Sequence, residues 1–298
     1  MTTPSDIALL MRLDLLAYRA SEALRASAIP HALIKGPTTA TWLYDPPRAY
    51  RDVDLLVPVG ALHDAVAALT RGGVANPAGR LGEEGAHSQV LTTDLGLELD
   101  LHVTLPMLQP GARHAAGWDV FSSHLEDFPI EGLGLVPAFD IPARCLVLAL
   151  HAVAGGDSSD QPLEDLRRAR AVATPSQWEA ARVLAHEMGA EPFFDAGLAL
   201  VDATPGAESL PVEARLKRAH AVGPAFGLQR LAAGTFRERV RAAWNLLLPS
   251  SAVMSRAGRL VPGEHFGLLR AHMRRWRRLL RVLPTAIRQW RSARRAAG

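Results

Sequence analysis

The stretch "RDVDLLV", residues 51–57, constrains the fold of this chain more than any other feature. Its valine and leucine content is typical of a buried β-strand, whose alternation puts Asp52 and Asp54 on one face and Val53 on the other. Two carboxylates a few ångströms apart repel each other unless a cation lies between them. A fold that buries this strand must therefore supply a compensating positive charge or a metal ion.

A second predicted strand, "LELDLHV", repeats the pattern. Glu98, Asp100 and His102 share one face of it at a period of two residues. If this strand lies beside the first, a third carboxylate joins the two aspartates there. Such an oxygen-rich set suits Mg²⁺, which takes one or two carboxylates and fills its other positions with waters and substrate phosphates. Two ions held in this way would clamp a triphosphate for in-line displacement.

The chain uses arginine for almost every cation, which makes one of its lysines informative. Of 33 lysine and arginine residues, only Lys35 and Lys217 are lysines. Lys35 ends an apolar run beside Gly36, where backbone N–H groups can approach phosphate oxygens and a compact ammonium can neutralise them. Thr38 and Thr39 open the next predicted helical segment and offer hydroxyls and a helix N-terminus to the same anion.

Hydrophobic periodicity predicts an α+β fold: a small mixed sheet with flanking helices, followed by an all-helical part. Up to residue 104 we predict helices over 5–28 and 61–70, helical turns in "TTATWLY", and strands in "HALIKG", "DVDLLVPV", 87–93 and 96–104. From Pro142 onward we predict no strand but helices over 142–154, 162–173, 176–188, 191–202, 210–221, 226–248, 264–282 and 285–296. The predicted domains are residues 1–140 and 141–298.

Composition excludes several classes of protein. With 298 residues, 48% of them hydrophobic, the chain can bury a sizeable core. A single cysteine rules out an internal disulfide and multi-cysteine metal sites. The first twenty residues lack a basic leader and carry charges among their apolar residues, so we expect no signal peptide, no transmembrane segment and a cytoplasmic protein. Complete nucleophile-elbow, zinc-protease and dinucleotide-binding motifs are absent from the sequence.

The C-terminal segment is strongly basic. From Arg270 onward ten arginines occur without an acid, and Pro284 predicts a division into two helices. Such a segment can contact an anionic partner, for example lipid, RNA, an acidic peptide or the phosphates of a substrate. It can equally pack its leucines and tryptophans on the helical part and leave the arginines in water.

The motifs follow one another in a recognisable order. They are Leu33-Ile34-Lys35-Gly36, Leu43-Tyr44, Pro46 or Pro47, Arg48, Asp52-Val53-Asp54-Leu55-Leu56-Val57 and Asp100-Leu101-His102. This set resembles the nucleotidyltransferase superfamily of DNA polymerase β type, and within it the uncharacterised bacterial nucleotidyltransferases. The resemblance covers about residues 29 to 105. It implies a nucleotidyltransferase-type sheet and Mg²⁺-dependent transfer of a nucleotidyl group from a nucleoside triphosphate to an acceptor.

The resemblance also implies roles for individual residues. Asp52, Asp54 and Asp100 would hold two Mg²⁺ ions, or Mn²⁺ in their place, with Asp100 as the general base. The nucleotide-binding set would comprise Lys35, Gly36, Thr38, Thr39 and Arg48. Because Pro37 replaces the serine that usually follows the glycine in the superfamily, one of the two threonines would have to supply that hydroxyl.

Other polar residues have competing interpretations. Glu98 either faces solvent on an edge strand or is a metal ligand, and we favour the first because Asp100 matches the motif better. His102 is either a hydrogen-bonded core histidine or a residue that orients the neighbouring aspartate. His87, at the start of the preceding strand, is a further candidate. The resemblance points to His151 and Asp165 in the helical part, although His151 on an apolar helix is expected to be a buried structural residue.

The acceptor is left open by the sequence: a peptide, a metabolite, a protein or an RNA. Transfer of a phosphoryl group in place of a nucleotidyl group is also left open. One alternative function is a tailoring transferase that acts on a peptide or specialised metabolite, with the basic tail recruiting an acidic or phosphorylated group. Another is a non-catalytic, antitoxin-like binding module of the same fold. The presence of Lys35 together with Asp52, Asp54 and Asp100 argues against that second alternative.

Overall fold

The computed structural model describes residues 4–77, 88–105, 116–154 and 160–202. Beyond residue 202 it describes 211–212, 215–216, 223–233, 236, 239–240, 243–244 and 267–295. His87 and most of the predicted helix 210–221 lie outside the described residues.

A mixed sheet forms the centre of the described α/β part. Its strands are β1 Ala32–Leu33, β2 Asp52–Leu56, β3 Asn76–Pro77, β4 Ser88–Thr92, β5 Glu98–His102, β6 Leu125–Ile130 and β7 Gly134–Phe139. They lie in the order β3-β4-β5-β2-β1-β7-β6. The pairs β2–β5 and β1–β7 are parallel, and the other neighbours are antiparallel. The predicted α+β class with a small mixed sheet is confirmed.

Helices flank the sheet and dominate the rest of the described chain. They are α1 Pro4–Ala26, α2 Pro37–Leu43, α3 Leu62–Arg71, α4 Ala116–Phe121, α5 Ile141–Ala154, α6 Gln161–Val172, α7 Pro175–Glu187, α8 Glu191–Ala199, α9 Gly223–Ala233 and α10 Gly267–Arg295, with a short 3₁₀ turn at Val59–Ala61. Local sequence explains where several of them begin. Pro37 occupies the first turn of α2, and a capping box of Thr174 and Gln177 starts α7.

The hairpin of β6 and β7 was not predicted from the sequence. Glu126, Asp127 and Pro129 interrupt the apolar alternation of β6, so its pattern does not look like a strand. Gly132 and Gly134 have positive φ angles of 73° and 149° and allow the turn between the two strands. This hairpin extends the sheet beyond β1.

The prediction of two C-terminal helices divided at Pro284 is wrong. Helix α10 continues through Pro284 for 29 residues. A proline removes one backbone hydrogen bond from a helix, but Pro284 is exposed, so water can satisfy the carbonyl that is left over.

Two hydrophobic clusters hold the main body together. One packs α1 and α3 on the inner residues of β2 and β5. The other joins sheet residues such as Ala32, Leu56 and Phe139 to the apolar faces of α5, α6, α7 and α8. This second cluster has members on both sides of residue 140, and the division into domains at that residue stays a prediction. A third, small cluster lies between α9 and α10.

Candidate active site

The register of β2 and β5 brings the predicted acidic residues together. In this parallel pair Asp54 lies opposite Asp100, and Leu56 lies opposite His102. Residues on the other face of the same strands, including Val53 and Leu99, are fully buried in the cluster under α1 and α3. The apolar face therefore packs both strands against the core. The opposite face carries one carboxylate from each strand, at positions paired in the sheet.

Asp54 is the most enclosed of these acids, with 1% of its surface exposed. Nε2 of His102 donates a hydrogen bond to its Oδ1 at 2.8 Å, and Nζ of Lys35 lies 3.3 Å from its Oδ2. Burial alone would raise the pKa of Asp54, but Lys35 and His102 outweigh burial and lower the pKa to about 2. Asp54 is therefore ionised at neutral pH.

Asp100 lies next to Asp54 and His102, and its negative charge is not fully compensated by neighbouring positive charge. One oxygen each of Asp54 and Asp100 and a ring nitrogen of His102 lie within 4.8 Å of one another. Oδ1 of Asp100 is buried and has no hydrogen-bond partner in the described part of the chain. Burial raises the pKa of Asp100, and repulsion from Asp54 and Asp52 raises it further against the attraction of His102.

Asp52 precedes Asp54 by two residues on the same face of β2 and is half-buried. Burial, followed by repulsion from Asp54, raises the pKa of Asp52 above its ordinary value. Among the described residues it is not a member of the closest group formed by Asp54, Asp100 and His102. Repulsion from Asp52 nevertheless helps to raise the pKa of Asp100.

The lysine at position 35 supplies the compensating charge that the acidic strand requires. Burial lowers the pKa of Lys35, but attraction to Asp54, Asp52 and Asp100 outweighs burial, so the pKa lies above its ordinary value. Gly36 follows with a φ angle of +79°. A Cβ atom on Gly36 would lie 3.4 Å from both the carbonyl oxygen of Asp52 and the ring of Tyr50, so the turn fits tightly against this part of the chain.

The residues of this cluster fit a divalent cation. Three carboxylates face one ammonium group, and the pKa values of Asp52 and Asp100 are raised partly because negative charge is in excess. The oxygen of Asp100 that lacks a hydrogen-bond partner is a free ligand atom of the kind that hard cations prefer. The structure therefore brings Lys35, Asp52, Asp54 and Asp100 together.

The two threonines of α2 lie inside the protein. Thr38 and Thr39 are 0% and 2% exposed, and Oγ1 of Thr38 has no hydrogen-bond partner among the described residues. Their predicted contact with phosphate therefore stays a prediction. The same burial packs α2 against the interior directly after the Lys35-Gly36 turn.

Arg48 binds a residue that the sequence did not connect with it. Its Nε and Nη2 donate to the two carboxylate oxygens of Asp165 on α6 at 3.0 and 2.6 Å. The hydroxyl of Tyr44 donates to the same carboxylate at 2.6 Å, and Nε2 of Gln161 donates at 2.9 Å. Arg48 and Asp165 are 117 positions apart, so only the family resemblance could have drawn attention to both. Their network fastens the segment after α2 to α6.

The pKa of His151 on α5 is affected both by the carboxylate cluster and by the Arg48–Asp165 pair. Burial lowers its pKa to about 4, and the further influences on that pKa come from Lys35, Asp54, Asp165 and Arg48. Its imidazole is therefore neutral at neutral pH and lies within electrostatic reach of the carboxylate cluster and of the Arg48–Asp165 pair.

Two of the open interpretations can be compared with the geometry. Glu98 is exposed, as predicted, but its strand is not the predicted edge strand, because β5 lies between β4 and β2. The hydrogen bond of His102 goes to Asp54, whereas the sequence suggested Asp100 as the residue that it would orient.

Converging carboxylates beside a lysine–glycine turn are the features that the motifs predicted for a nucleotidyltransferase. Comparison with known families gives the same class: the family described as "Uncharacterised nucleotidyltransferase" matches residues 12–205, more than half of the chain. The chain belongs to this family, which confirms the resemblance seen in the motifs. No curated protein matches the chain.

Three solved structures are similar to parts of the chain. The antibiotic-resistance factor ANT(2'')-Ia is 14% identical over 60% of this chain and 94% of its own, with a TM-score of 0.43. An antigenic nucleotidyltransferase-like protein from Paracoccidioides brasiliensis is 16% identical over 66% and 97%, with a TM-score of 0.37. The lincosamide antibiotic adenylyltransferase LnuA, in a lincomycin-bound structure, is 13% identical over 58% and 99%, with a TM-score of 0.35.

Proposed function

We propose that this nucleotidyltransferase moves a nucleotidyl group from a nucleoside triphosphate to an acceptor with the help of Mg²⁺. The observation that carries the proposal is the meeting of Asp54 and Asp100 on neighbouring strands beside the charged Lys35. A surplus of buried negative charge next to a lysine is costly in a protein unless a cation joins it.

Each acidic residue has a proposed role. Asp52, Asp54 and Asp100 would hold two Mg²⁺ ions, or Mn²⁺ in their place. The ions would supply neutralisation of the triphosphate and activation of the acceptor hydroxyl. Asp100 is the proposed general base, because its Oδ1 has no competing hydrogen bond in the described part of the chain. His102 holds the carboxylate of Asp54 in place through its hydrogen bond.

Lys35 and Gly36 are the proposed contact with the phosphates. The raised pKa of Lys35 keeps its ammonium charged, and the φ angle of +79° at Gly36 shapes the turn that would offer backbone N–H groups to a phosphate. Thr38, Thr39 and Arg48 complete the proposed nucleotide-binding set. Because the threonine side chains are enclosed, they would contribute through the backbone at the start of α2, and Arg48 would contribute from its anchored position on Asp165.

The acceptor is proposed to be a peptide, a metabolite, a protein or an RNA that carries negative charge. The support for this charge is α10, on which eight arginines are exposed among the side chains that the structure describes: Arg274, Arg277, Arg278, Arg281, Arg288, Arg291, Arg294 and Arg295. A face of this kind attracts anionic partners and loses its attraction at high salt. Among the described residues, none of the helices has the length and hydropathy needed to span a membrane.

The direct test measures thermal stabilisation and pyrophosphate release with each of the four ribonucleoside triphosphates and Mg²⁺ or Mn²⁺. We expect at least one triphosphate to raise the melting temperature only when metal is present, because a ligand that binds the folded state stabilises it. Release of pyrophosphate should fall by about 100-fold or more in Asp54→Asn.

Glu98→Gln is the matched control, because it removes an exposed acid from the same face of the neighbouring strand. It should behave like the wild type. Stabilisation without any turnover would favour the binding-module alternative. No metal-dependent effect with any triphosphate would contradict the proposal.

A further inference from the structure

A cavity of about 740 Å³ lies next to the lysine–glycine turn and is lined by residues other than the clustered carboxylates. Its walls come from α1, from the start of α2 and the segment that follows α2, and from the end of β6 and the turn after it. Its volume falls within the range of small-molecule sites, and most of the side chains that line it are apolar.

One face of α1 borders this cavity, although Leu10 on that face also packs against the main hydrophobic cluster. Ile7, Leu10 and Asp14 follow one another at intervals of three and four residues, so they share a face, and all three line the cavity. Other residues of α1, such as Leu13 and Leu24, supply further contacts in the main hydrophobic cluster. Ile7 is 51% exposed, which leaves apolar surface free for a ligand.

The cavity also holds two carboxylates that have no cationic partner among the described residues. Asp14 and Glu131 both line it, and no lysine, arginine or histidine in the described part of the chain forms an ion pair with either. The hydroxyl of Tyr50 donates a hydrogen bond to Asp14. Burial raises the pKa of Asp14, the Tyr50 bond lowers it, and repulsion from Glu131 raises it again.

The cavity shares a wall with the lysine–glycine turn. Pro37, which follows Gly36, lines the cavity, and so does Tyr50, whose ring would lie 3.4 Å from a Cβ atom on Gly36. A ligand in the cavity would therefore touch residues that support the turn, without using the proposed metal-binding aspartates.

We propose that this cavity binds a small molecule with an apolar body and an ammonium group. The body would lie on Ile7, Leu10 and Phe128, and the ammonium would be attracted to the carboxylates of Asp14 and Glu131. An anion of the same shape would be repelled by those carboxylates, so the cavity selects for positive charge.

The test compares three probes that share a phenylalkyl body and differ in the polar group at its end: 4-phenylbutylamine is cationic, 4-phenylbutanol is neutral and 4-phenylbutyrate is anionic. Their dissociation constants are measured by calorimetry on the full chain at neutral pH, without metal or nucleotide. The amine should bind about tenfold more tightly than the alcohol, because a charge-assisted hydrogen bond is stronger than a neutral one. The carboxylate should bind most weakly. Because no triphosphate is involved, failure here leaves the proposed transferase activity unaffected.

Two variants separate the apolar and charged parts of the site. In the double variant Asp14→Asn with Glu131→Gln, the amine should bind no better than the alcohol, and the alcohol should bind as it does to the wild type. Leu10→Trp fills the cavity and should weaken binding of all three probes by about tenfold or more. Asp94→Asn, which changes an exposed acid in the β4–β5 turn, should leave all three constants unchanged.

The proposal is overturned if the carboxylate binds as tightly as the amine or if none of the probes binds. It is also overturned if a Leu10→Trp variant with an unchanged melting curve binds the amine like the wild type.

Discussion

Lys35 and Asp54 form an ion pair in which the Asp54 carboxylate is almost completely shielded from solvent. Asp54 is 1% exposed, and its ionised form depends on Lys35 and His102. Two lysines among 33 lysine and arginine residues indicate that position 35 needs a compact ammonium in particular. The sequence therefore predicted a special role for Lys35, but it could not identify Asp54 as the closest partner.

Replacing Lys35 by methionine should lower the free energy of unfolding by about 3 kcal/mol at pH 7, because the buried carboxylate of Asp54 loses its main counter-charge. Chemical denaturation measures this change. Adding Asp54→Asn to the same chain should recover part of the loss. Equal losses in the single and double variants would show that the two charges do not depend on each other.

Replacing Asp100 by asparagine should raise the free energy of unfolding of the metal-free protein by about 1 kcal/mol at pH 7. The raised pKa of Asp100 means that its ionised form is disfavoured in the folded state, mainly by burial and by Asp54. As the pH falls through the raised pKa toward the ordinary value of about 4, the wild type becomes protonated and its disadvantage disappears. Asp54, whose pKa is lowered, has the opposite dependence and loses its stabilising effect only as the pH falls from about 4 toward 2.

Denaturation curves of the wild type and of Asp100→Asn between pH 4 and pH 7 test whether the variant is the more stable protein at pH 7 and loses this advantage as the pH falls. Saturating Mg²⁺ at pH 7 should remove the advantage of the variant, because the ion stabilises the ionised carboxylate only in the wild type. A variant that is less stable than the wild type throughout this range would contradict the interpretation.

At the level of elements, the pairing of β2 with β5 creates the cluster. Alternation of acidic and apolar residues predicted both strands and the face on which the acids lie. It could not predict the register, which depends on long-range contacts such as those of Val53 and Leu99 in the cluster under α1 and α3. The β6–β7 hairpin escaped prediction because its charged and proline residues hide the alternation.

The contact that joins the segment after α2 to α6 could not be predicted from the sequence either. Arg48 and Asp165 form two hydrogen bonds in a largely buried setting, and Tyr44 and Gln161 complete the network. The residues come from distant parts of the chain, and nothing in their local sequence specifies the contact.

A double-mutant cycle with Arg48→Ala and Asp165→Ala should give a coupling energy of about 2 kcal/mol, because either single change leaves a buried charge without its partner. Equilibrium unfolding of the four proteins measures it. The exposed pair Arg170–Asp202, which has a similar two-bond geometry, is the matched control and should give less than about 1 kcal/mol. Equal coupling in both pairs would contradict a special role for the Arg48–Asp165 network.

At the scale of the whole molecule, the two large hydrophobic clusters contain no described residue beyond Val201. The cluster between α9 and α10 is separate from them. Composition and periodicity predicted the order of an α/β part followed by helices. They could not predict how closely the two parts share a core, because that depends on contacts between Phe139, Leu56 and the helices after residue 140.

A chain that ends after residue 202 should therefore fold, with a cooperative thermal transition like that of the full chain. A chain that ends after residue 140 should be insoluble or lack a cooperative transition, because it exposes the sheet side of a cluster that α5 to α8 cover. Circular dichroism and solubility of both truncated chains decide between these outcomes. A folded 1–140 chain would instead support the domain division predicted from the sequence.

The central claim is that Asp52, Asp54 and Asp100 form one site for divalent ions. Electron paramagnetic resonance of Mn²⁺ tests it most directly, because bound and free ions differ in signal and can be counted. We predict up to two Mn²⁺ ions per chain in the presence of a nucleoside triphosphate, with loss of this binding in Asp54→Asn and Asp100→Asn but not in Glu98→Gln. Unchanged Mn²⁺ binding in both aspartate variants would contradict the account.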